Sequence, residues 1–581
     1  MSDIIKILPS DVSNKIAAGE VVQRPSSVLK ELIENSIDAN STKIQIIIKD
    51  AGKNLIQVID NGKGMSKNDM HLSFIKHATS KISKIEDIFS ISSMGFRGEA
   101  LAAISSVSML EMESINDNQN GHFIEINGGE LLREKDSNIQ EGTSIKIKNI
   151  FYNVPARRNF LKSDFVELRH ILDVFHRLAI SHPEIEFSFI NNEEEIFYLK
   201  EESLNKRIIS IFGEKIRENL IPIHESTQIA NISGFVLKPE FSKKSRSNQF
   251  IFVNNRFIKS QFINHSISAS YDGLLKDGYY PGYFLFIDID PTKIDVNVHP
   301  NKTEIKFDDD QNLYSIINSS VKHCLGIYQV SPVLDFDKDP SMDISYDQVK
   351  SQPTSPNIQI NSDFNPFKVF NDDEVNKISD DHLTSINKLN LENDSNQALK
   401  IFQILNKFIV STNKSSLIII NQNLAHQRIL YESFLKSIFE NSVNSQKLVF
   451  PIELSLTKKQ LLLYNKIIDE FKSIGFEIIV KNELMLIESI PFGIEKNNVE
   501  EVIENILNED FNTSNDFSAS DFFAKRLSKI TSIKSGQKLN SDEQEYIVNH
   551  LFSCKEPNLS PDNKQIFITL NKNDIENKFN G

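Results

Sequence analysis

Glu31, Asn35 and Asp38 share one short segment, and their side chains have the chemistry needed to activate water beside a bound cation. A carboxylate can accept a proton from water, and an amide oxygen is a hard ligand for a metal ion. At about 100° per residue, the three residues fall along one polar edge of a helix. The segment by itself is also typical of a solvated helix face, so its interpretation depends on its neighbours.

One helix and two strands are predicted to position these residues. Pro25 marks the start of the helix, and apolar residues follow it at helical spacing. Residues 43–49 and 55–60 favour strands separated by a turn. The second strand ends at Asp60, where a carboxylate can point into a cleft and accept a hydrogen bond from the amino group of a base such as adenine.

Glycines follow at two places where a nucleotide could approach the backbone. Gly62 and Gly64 lack the Cβ atom that would keep a ligand away, although Asp-Asn-Gly alone is chiefly a turn signal. Gly95 and Gly98 precede a predicted helix at 100–104, and backbone N–H groups at such a helix start can bind phosphate. A single Gly-x-x-Gly is a weak signal, so the combination predicts an ATP site without a Walker A loop.

Five longer segments narrow this prediction. They are Ile16-Ala-Ala-Gly-Glu-Val-Val-Gln-Arg-Pro25, His77-Ala-Thr-Ser-Lys81, Gly95-Phe-Arg-Gly-Glu-Ala-Leu101, Phe151-Tyr-Asn-Val-Pro-Ala-Arg-Arg158 and Asp295-Val-Asn-Val-His-Pro-Asn-Lys302. In this order they resemble signatures of the MutL mismatch-repair family, which belongs to the superfamily of gyrase, heat-shock chaperone and histidine kinase ATPases. The resemblance is dense over residues 1–330 and thinner beyond them.

The resemblance implies ATP and Mg²⁺ as the ligands and gives each site residue a role. Glu31 would act as general base, and Asn35 would hold Mg²⁺. Asp60 would bind adenine, and Lys302 would reach the γ-phosphate. The other implied nucleotide contacts are Gly62, Gly64, Thr79, Gly95, Phe96, Arg97, Gly98, Glu99 and Thr143. Such a set fits hydrolysis, which needs an aligned water, a base and positive charge where negative charge develops.

The expected fold class is α+β with several domains. The predicted domains are an N-terminal α/β-sandwich ATPase domain of the gyrase and MutL type (1–210), a small α/β transducer domain (211–332), an acidic disordered linker (333–397) and a C-terminal α/β dimerisation domain (398–581). Strands at 249–253 and 283–289 around a helix at 262–275 indicate the transducer. The linker prediction follows from its Asp, Asn, Ser and Pro content without sustained periodicity.

Composition limits the class of protein. The chain has 581 residues, of which 39% are hydrophobic, and this is enough for several cores. It shows no signal-peptide layout and no apolar run of membrane-spanning length, and its two cysteines are too few for a disulfide framework. We therefore expect a soluble cytoplasmic protein with no membrane contact.

The net charge of −15 argues against a DNA partner unless charge is distributed unevenly. The acidic excess is conspicuous in residues 335–394, whereas basic residues elsewhere could contact phosphates without reading bases. An ordinary solvated surface explains these residues equally well, so the expectation of DNA binding rests on the family resemblance. The basic residues are Arg157, Arg158, Lys162, Lys243, Lys244, Arg246, Arg256 and Lys259.

The C-terminal region departs from the family at the metal site with which many MutL proteins nick DNA. Where those relatives have acids and an imidazole on a helix, this chain has Asn421, Asn423 and Gln427. A later ligand segment is replaced by Ser560 to Lys564, and we predict that endonuclease activity is absent. Gln446 to Pro451 resembles the family's sliding-clamp-binding peptide and equally suits an ordinary strand.

These features predict an ATP-dependent matchmaker of DNA mismatch repair. It would be a homodimeric, slow, Mg²⁺-dependent ATPase that couples recognition of a mismatch by the protein MutS to excision of DNA, by closing its N-terminal domains. The alternatives are a metal-dependent nickase with an unusual site and a chaperone of the same ATPase superfamily. The segments at 155–158 and 296–300 argue against the chaperone.

Overall fold

The structure is a computed structural model, and it describes most of the chain outside one long central gap. The described residues are 19, 21–81, 94–95, 98–116, 120–276, 278–295, 305–327, 401–413, 416–440, 445–481, 483–491, 494, 496–508, 519–571 and 574. The predicted linker 333–397 and the predicted site residues Phe96, Arg97 and Lys302 lie outside this set.

The N-terminal region is built on one mixed sheet. Its elements are α1 (Pro25–Asp38), β1 (Lys43–Lys49), β2 (Leu55–Asp60), α2 (Lys67–Leu72), α3 (Ala100–Ser106), β3 (Met109–Ser114), β4 (Gly121–Asn127), β5 (Glu130–Ser137), β6 (Thr143–Lys148), α4 (Pro155–Phe160), α5 (Asp164–Ser181), β7 (Glu186–Asn191), β8 (Glu194–Leu199) and α6 (Leu204–Phe212). The eight strands have the order β5-β4-β3-β6-β2-β1-β7-β8, and only the β1–β7 pair is parallel among them.

The first helix and the two strands after it form as their sequence predicts. Pro25 occupies the first turn of α1, where its missing N–H is not needed. The apolar edge of α1 is buried against the sheet, so the opposite edge, with Glu31, remains partly exposed. Along β2 every second residue is buried, and this alternation places Asp60 on the same face as Ile56 and Val58. The regular period of two therefore sets the direction of the Asp60 carboxylate.

The second region has a smaller sheet of five strands in the order β12-β11-β13-β10-β9. Its elements are β9 (Leu220–Ser226), β10 (Asn231–Leu237), β11 (Gln249–Val253), β12 (Arg256–Phe257), α7 (Gln261–Ser270), β13 (Tyr283–Asp288), β14 (Ile294–Asp295), β15 (Lys306–Phe307) and α8 (Asp310–Ile327). β11 and β13 are parallel and α7 joins them, which confirms the predicted β-α-β order.

The helix of this unit ends earlier than its sequence predicts. It was expected to reach Leu275, but α7 stops at Ser270. Tyr271 is buried, and its hydroxyl donates a hydrogen bond of 2.6 Å to the Leu237 carbonyl. Gly273 follows with a φ of +78°, a backbone conformation that ends a right-handed helix. The tertiary contact of Tyr271 and the Asp-Gly turn therefore override the apolar periodicity.

The C-terminal region has a four-stranded sheet, β16-β17-β18-β22, and a three-stranded sheet, β19-β21-β20. Its elements are β16 (Ile401–Ile404), β17 (Phe408–Asn413), β18 (Ser416–Asn421), α9 (Gln422–Glu440), β19 (Ser445–Ser455), α10 (Lys458–Asn465), α11 (Ile468–Ile474), β20 (Glu477–Lys481), β21 (Leu484–Pro491), α12 (Val499–Asn508), α13 (Ala519–Thr531), α14 (Ser541–Ser553) and β22 (Phe567–Asn571). The mixed helices and strands confirm the predicted α+β class. Over the described residues, no helix combines the length and apolar character needed to cross a bilayer.

Candidate nucleotide site

A cleft of about 1460 Å³ opens beside the polar edge of α1. The end of β2, the loop after α2, the start of α3 and the outer face of α5 form its other walls. The structure brings many of the predicted site residues together on its lining, namely Glu31, Asn35, Asp60, Gly64, Thr79, Gly95, Gly98, Glu99 and Thr143. A single cleft therefore collects residues that are widely separated in the sequence.

Asp60 lines the cleft and is 8% exposed. Its carboxylate accepts hydrogen bonds from the Ser36 hydroxyl at 2.7 Å and from the backbone N–H of Gly62 at 2.9 Å. Burial raises the pKa of the Asp60 carboxyl, and the hydrogen bonds from Ser36 and Gly62 oppose this shift. These contacts fix the carboxylate as an acceptor, which suits recognition of an amino group.

The glycines beside Asp60 are required by close backbone contacts. A Cβ atom on Gly64, which has a φ of +63°, would come within 1.7 Å of the Ile115 carbonyl oxygen. A Cβ atom on Gly62 would come within 2.6 Å of the Ser41 hydroxyl. Gly64 lines the cleft and Gly62 does not, so Gly62 contributes by donating its N–H to Asp60.

Thr143 lies opposite Asp60 in the antiparallel β2–β6 ladder, and this register places it in the cleft wall. Its hydroxyl is 2.8 Å from the Ser114 hydroxyl, which also accepts a hydrogen bond from the Met65 backbone N–H. Gly142 has a φ of +66°, and a Cβ atom there would be 1.9 Å from the Asp60 carbonyl oxygen. The segment at 142–143 therefore holds the end of β2 in place.

Asn35 and Asp38 form a small site that already attracts positive charge. The Lys81 ammonium group donates hydrogen bonds to the Asn35 amide oxygen at 2.9 Å and to the Asp38 carboxylate at 2.5 Å. The Asp38 carboxylate also accepts the backbone N–H groups of Met94 and Gly95. An amide oxygen beside a carboxylate is a hard donor set, so these residues fit a divalent cation such as Mg²⁺.

Glu31 lies one turn before Asn35 on the same edge of α1. Its side chain is partly exposed, and among the described residues no hydrogen bond or ion pair engages its carboxylate. Glu34, by contrast, is buried and lies 3.5 Å from the Lys30 ammonium group. Both glutamates line the cleft, and Glu31 is the more exposed of the two.

The described part of the predicted lid contacts the segment at 77–81. Gly98 has a φ of +64°, and its carbonyl accepts a hydrogen bond of 3.1 Å from the His77 backbone N–H. The Glu99 carboxylate is 3.3 Å from the His77 imidazole. The Thr79 hydroxyl accepts a hydrogen bond from the Lys81 backbone N–H. These contacts join the two loops that border the cleft.

Sequence reasoning missed several residues of this site. Ser36 and Lys81 lie inside segments that were singled out, but neither was given a role, because their partners are distant in the chain. Arg256 and Lys259 of the second region also line the cleft, although the sequence indicated them only as candidates for phosphate contact on DNA. For Ser36, the one indication in the sequence was its position next to Asn35.

In the C-terminal region, the amides that replace the metal ligands make structural contacts. The Asn423 side chain donates to the Ile533 carbonyl at 2.6 Å, and Gln427 donates to the Asn423 amide oxygen at 2.8 Å. The His426 imidazole accepts the Ile533 backbone N–H at 3.0 Å. Within the parts of the chain that the structure describes, no three His, Cys, Asp or Glu side chains cluster as metal ligands would.

The segment from Gln446 to Pro451 lies on β19 and is largely exposed. Its pairing with β21 is interrupted between Lys447 and Ile452. Val449 is 88% exposed and Phe450 is 71% exposed. The segment is therefore a strand that also presents apolar side chains to solvent.

Three regions of the chain match known protein families. Residues 23–154 match the family described as histidine kinase-, DNA gyrase B- and HSP90-like ATPase. Residues 208–326 match the DNA mismatch repair protein, C-terminal domain, and residues 401–539 match the MutL C terminal dimerisation domain.

Whole-chain relatives agree with these matches. The chain is 45% identical to the DNA mismatch repair protein MutL of Christiangramia forsetii, over 100% of both chains. It is 41% identical to the MutL of Flavobacterium johnsoniae and 35% identical to that of Bacteroides fragilis, again over 100% of both chains. The family resemblance and the predicted fold class are confirmed, whereas the domain boundaries and the roles of single residues stay predictions.

Proposed function

Since the chain belongs to the MutL family of DNA mismatch repair proteins, we propose that it is an ATP-operated matchmaker that couples recognition of a mismatch to excision of DNA. The observation that carries this proposal is the cleft in which Glu31, Asn35 and Asp60 meet. The chaperone alternative is not favoured, because the similarity to repair proteins extends over the whole chain. We expect the protein to act in the cytoplasm.

In this proposal, different residues of the cleft bind the nucleotide and carry out the chemistry. Asp60, fixed by Ser36 and Gly62, accepts the amino group of adenine. Glu31, near the other polar residues of α1, accepts a proton from the water that attacks the γ-phosphate. Lys302 would add positive charge from the second region. A protein with a neutral or cationic side chain in place of Glu31 could still bind ATP. That side chain could not remove the proton from the attacking water.

Asn35 is the residue proposed to hold Mg²⁺, with Asp38 beside it. When bound, Mg²⁺ would supply positive charge that offsets the negative charge of the triphosphate. Lys81 contacts the same amide oxygen in this structure, so it would have to shift or share that oxygen as the cation binds. The hydrogen bonds between Asp38 and the backbone at 94–95 link this position to the start of the lid.

In the proposed working cycle, ATP binding and hydrolysis control how two chains associate. The C-terminal regions of two chains form a dimer, and ATP binding brings the two N-terminal regions together against DNA. MutS is the expected source of the mismatch signal, and a sliding clamp is the proposed partner of the apolar segment at 446–451. Hydrolysis through Glu31 then reopens the N-terminal regions.

The proposed cycle predicts different assembly of two fragments. Residues 1–330 should be monomeric without nucleotide and dimeric with a non-hydrolysable ATP analogue, because closure depends on the nucleotide. Residues 398–581 should be dimeric at micromolar concentration in both conditions. Sedimentation velocity on both fragments measures this. A C-terminal fragment that remains monomeric would contradict the constitutive dimer.

We also predict that the protein does not nick closed circular DNA with Mn²⁺, Mg²⁺ or Zn²⁺, even with a sliding clamp present. A two-metal nuclease needs several charged ligands that hold ions about 4 Å apart. Asn423 and Gln427 are neutral and hydrogen-bonded to each other, and Asn423 also donates to the Ile533 carbonyl. Conversion of supercoiled plasmid to the open circle is the measurement. Glu432 is an acid that the ligand helix retains. Metal-dependent nicking that Glu432→Ala abolishes would promote the nickase alternative.

A further inference from the structure

A basic platform on the second region presents positive charge from a fixed backbone. It consists of Lys243, Lys244 and Arg246 with the neighbouring rings of Tyr279 and Tyr280. Lys243 and Tyr280 exchange backbone hydrogen bonds of 3.2 and 2.7 Å. The Arg246 guanidinium group lies 4.4 Å from the centre of the Tyr280 ring, and the Lys244 ammonium group lies 5.7 Å from that of Tyr279. This arrangement suits a phosphate backbone, which needs positioned cations without base readout.

An acidic helix of the C-terminal region already contacts two cations of this platform. The Lys243 ammonium group is 2.7 Å from the Glu504 carboxylate, and the Lys244 ammonium group is 2.6 Å from Glu501. Both acids belong to α12, where residues three apart lie on neighbouring turns of one face. The opposite face of α12 is apolar and buried in the C-terminal core, through Val499, Val502, Ile503 and Ile506. The core therefore fixes the direction in which the two carboxylates point.

The helix is held there by a wider contact between the regions. Phe165 and Val166, at the start of α5, are each 1% exposed because they are buried within the C-terminal core. The ring centre of Phe165 is 6.0 Å from that of Phe522. Apolar burial of this kind favours association without requiring opposite charges. The ionic contacts at α12 are thus one edge of a mixed interface.

A partly buried ion pair reinforces the same interface. The Lys459 ammonium group of α10 contacts the Asp173 carboxylate of α5. Burial alone would raise the pKa of Asp173, but Lys459 together with Arg169 and Arg177 outweighs this and holds the pKa below its usual range. Asp173 also lines the nucleotide cleft. The C-terminal region therefore touches the wall of the ATP site as well as the basic platform.

We propose that the C-terminal region docks on the first two regions as a shield, and that duplex DNA competes with helix α12 for Lys243 and Lys244. Two carboxylates on one helix face occupy the place of two backbone phosphates, so the platform cannot bind both at once. This inference rests on DNA being a partner, as proposed above. In this inference the chain itself carries the competitor of DNA, which is helix α12.

Zero-length carbodiimide cross-linking of the full-length protein tests the docking directly. Without DNA, the peptide with Lys243 and Lys244 should be joined to the peptide with Glu501 and Glu504. Adding a duplex of random sequence to saturation should remove most of this product. The same yield at saturating DNA, or no product in its absence, would overturn the proposal.

DNA affinity of variants tests the competition. Glu501→Gln with Glu504→Gln should bind the duplex roughly threefold to tenfold more tightly than the unaltered chain, the size expected for loss of two partly exposed ion pairs. Glu500→Gln is the matched control, because Glu500 is an exposed acid of the same helix, and it should leave the affinity unchanged. Equal affinity of the double variant and the unaltered chain would contradict the competition.

A third variant separates this inference from the proposed function. Lys243→Gln with Lys244→Gln should weaken DNA binding and remove any gain from the two glutamate substitutions. If this variant bound DNA as tightly as the unaltered chain, the proposed function would stand and the shield would be wrong. If no form of the chain bound DNA, the DNA part of the proposed function would fail, while the cross-link without DNA would still report the docking.

Discussion

Replacing the proposed general base should leave a protein that binds ATP and does not hydrolyse it. Glu31→Ala is expected to lower turnover by about 10² to 10⁴, the usual contribution of a positioned base. ATP affinity should change little, because the residues proposed to contact adenine and phosphate are other residues of the cleft. Steady-state phosphate release and equilibrium binding of ATP, measured on the full-length variant, give the two quantities.

A neighbouring acid provides the control for this variant. Asp69 also lines the cleft, and its exposed carboxylate accepts a hydrogen bond from Ser66. Asp69→Asn keeps this acceptor and should therefore leave both turnover and affinity unchanged. If Glu31→Ala and Asp69→Asn released phosphate at the same rate, the assignment of Glu31 as base would be wrong.

Asp60→Asn is expected to act on binding. The substitution replaces one carboxylate oxygen with an amide donor, which would face the donating amino group of adenine. Loss of such a buried hydrogen bond costs about 1–3 kcal/mol, so affinity for both ATP and ADP should fall roughly 5- to 150-fold. Turnover at saturating ATP should fall less than affinity does. Calorimetric titration with ADP measures the effect without the complication of hydrolysis.

The environment of Asp60 also predicts how binding depends on pH. Because burial raises the pKa of this carboxyl, it gains a proton at a less acidic pH than an exposed aspartate does. ADP affinity should therefore begin to decline earlier on acidification than the affinity of the Asp60→Asn variant, which has no proton to gain. Thermal unfolding of the variant serves as a check, because the Ser36 hydroxyl also bonds to this carboxylate. An unchanged ADP affinity in a folded variant would contradict the adenine role.

The parts of the site that the sequence predicted are those with a local pattern. Helix α1 follows from its proline start and apolar periodicity, and β2 follows from its period of two, which also directs Asp60 into the core face. Backbone contacts required Gly64 and Gly98, and both positions were singled out. Periodic burial, and contacts in which another atom lies close to the backbone, can be predicted from the sequence, because both directly restrict which residue type a position can have.

Contacts between distant segments could not be predicted from the sequence in this way. Lys81 bonds to Asn35 across 46 positions, and Lys243 meets Glu504 across 261. Neither contact has a periodicity, so each depends on how whole elements and regions pack. Helix α7 shows the same limit, because the burial of Tyr271 ends it before the apolar pattern does. Tertiary packing therefore determines these contacts and the end of α7, which local propensity does not.

We propose that one cleft both binds ATP and hydrolyses it through Glu31. A single-turnover assay tests this most directly, with full-length protein in excess over radiolabelled ATP and with Mg²⁺ present. The unaltered chain should convert its bound ATP to ADP, whereas Glu31→Ala should retain ATP in bound form over the same time. Conversion at the same rate in both proteins, with equal amounts of ATP bound at the start, would contradict it.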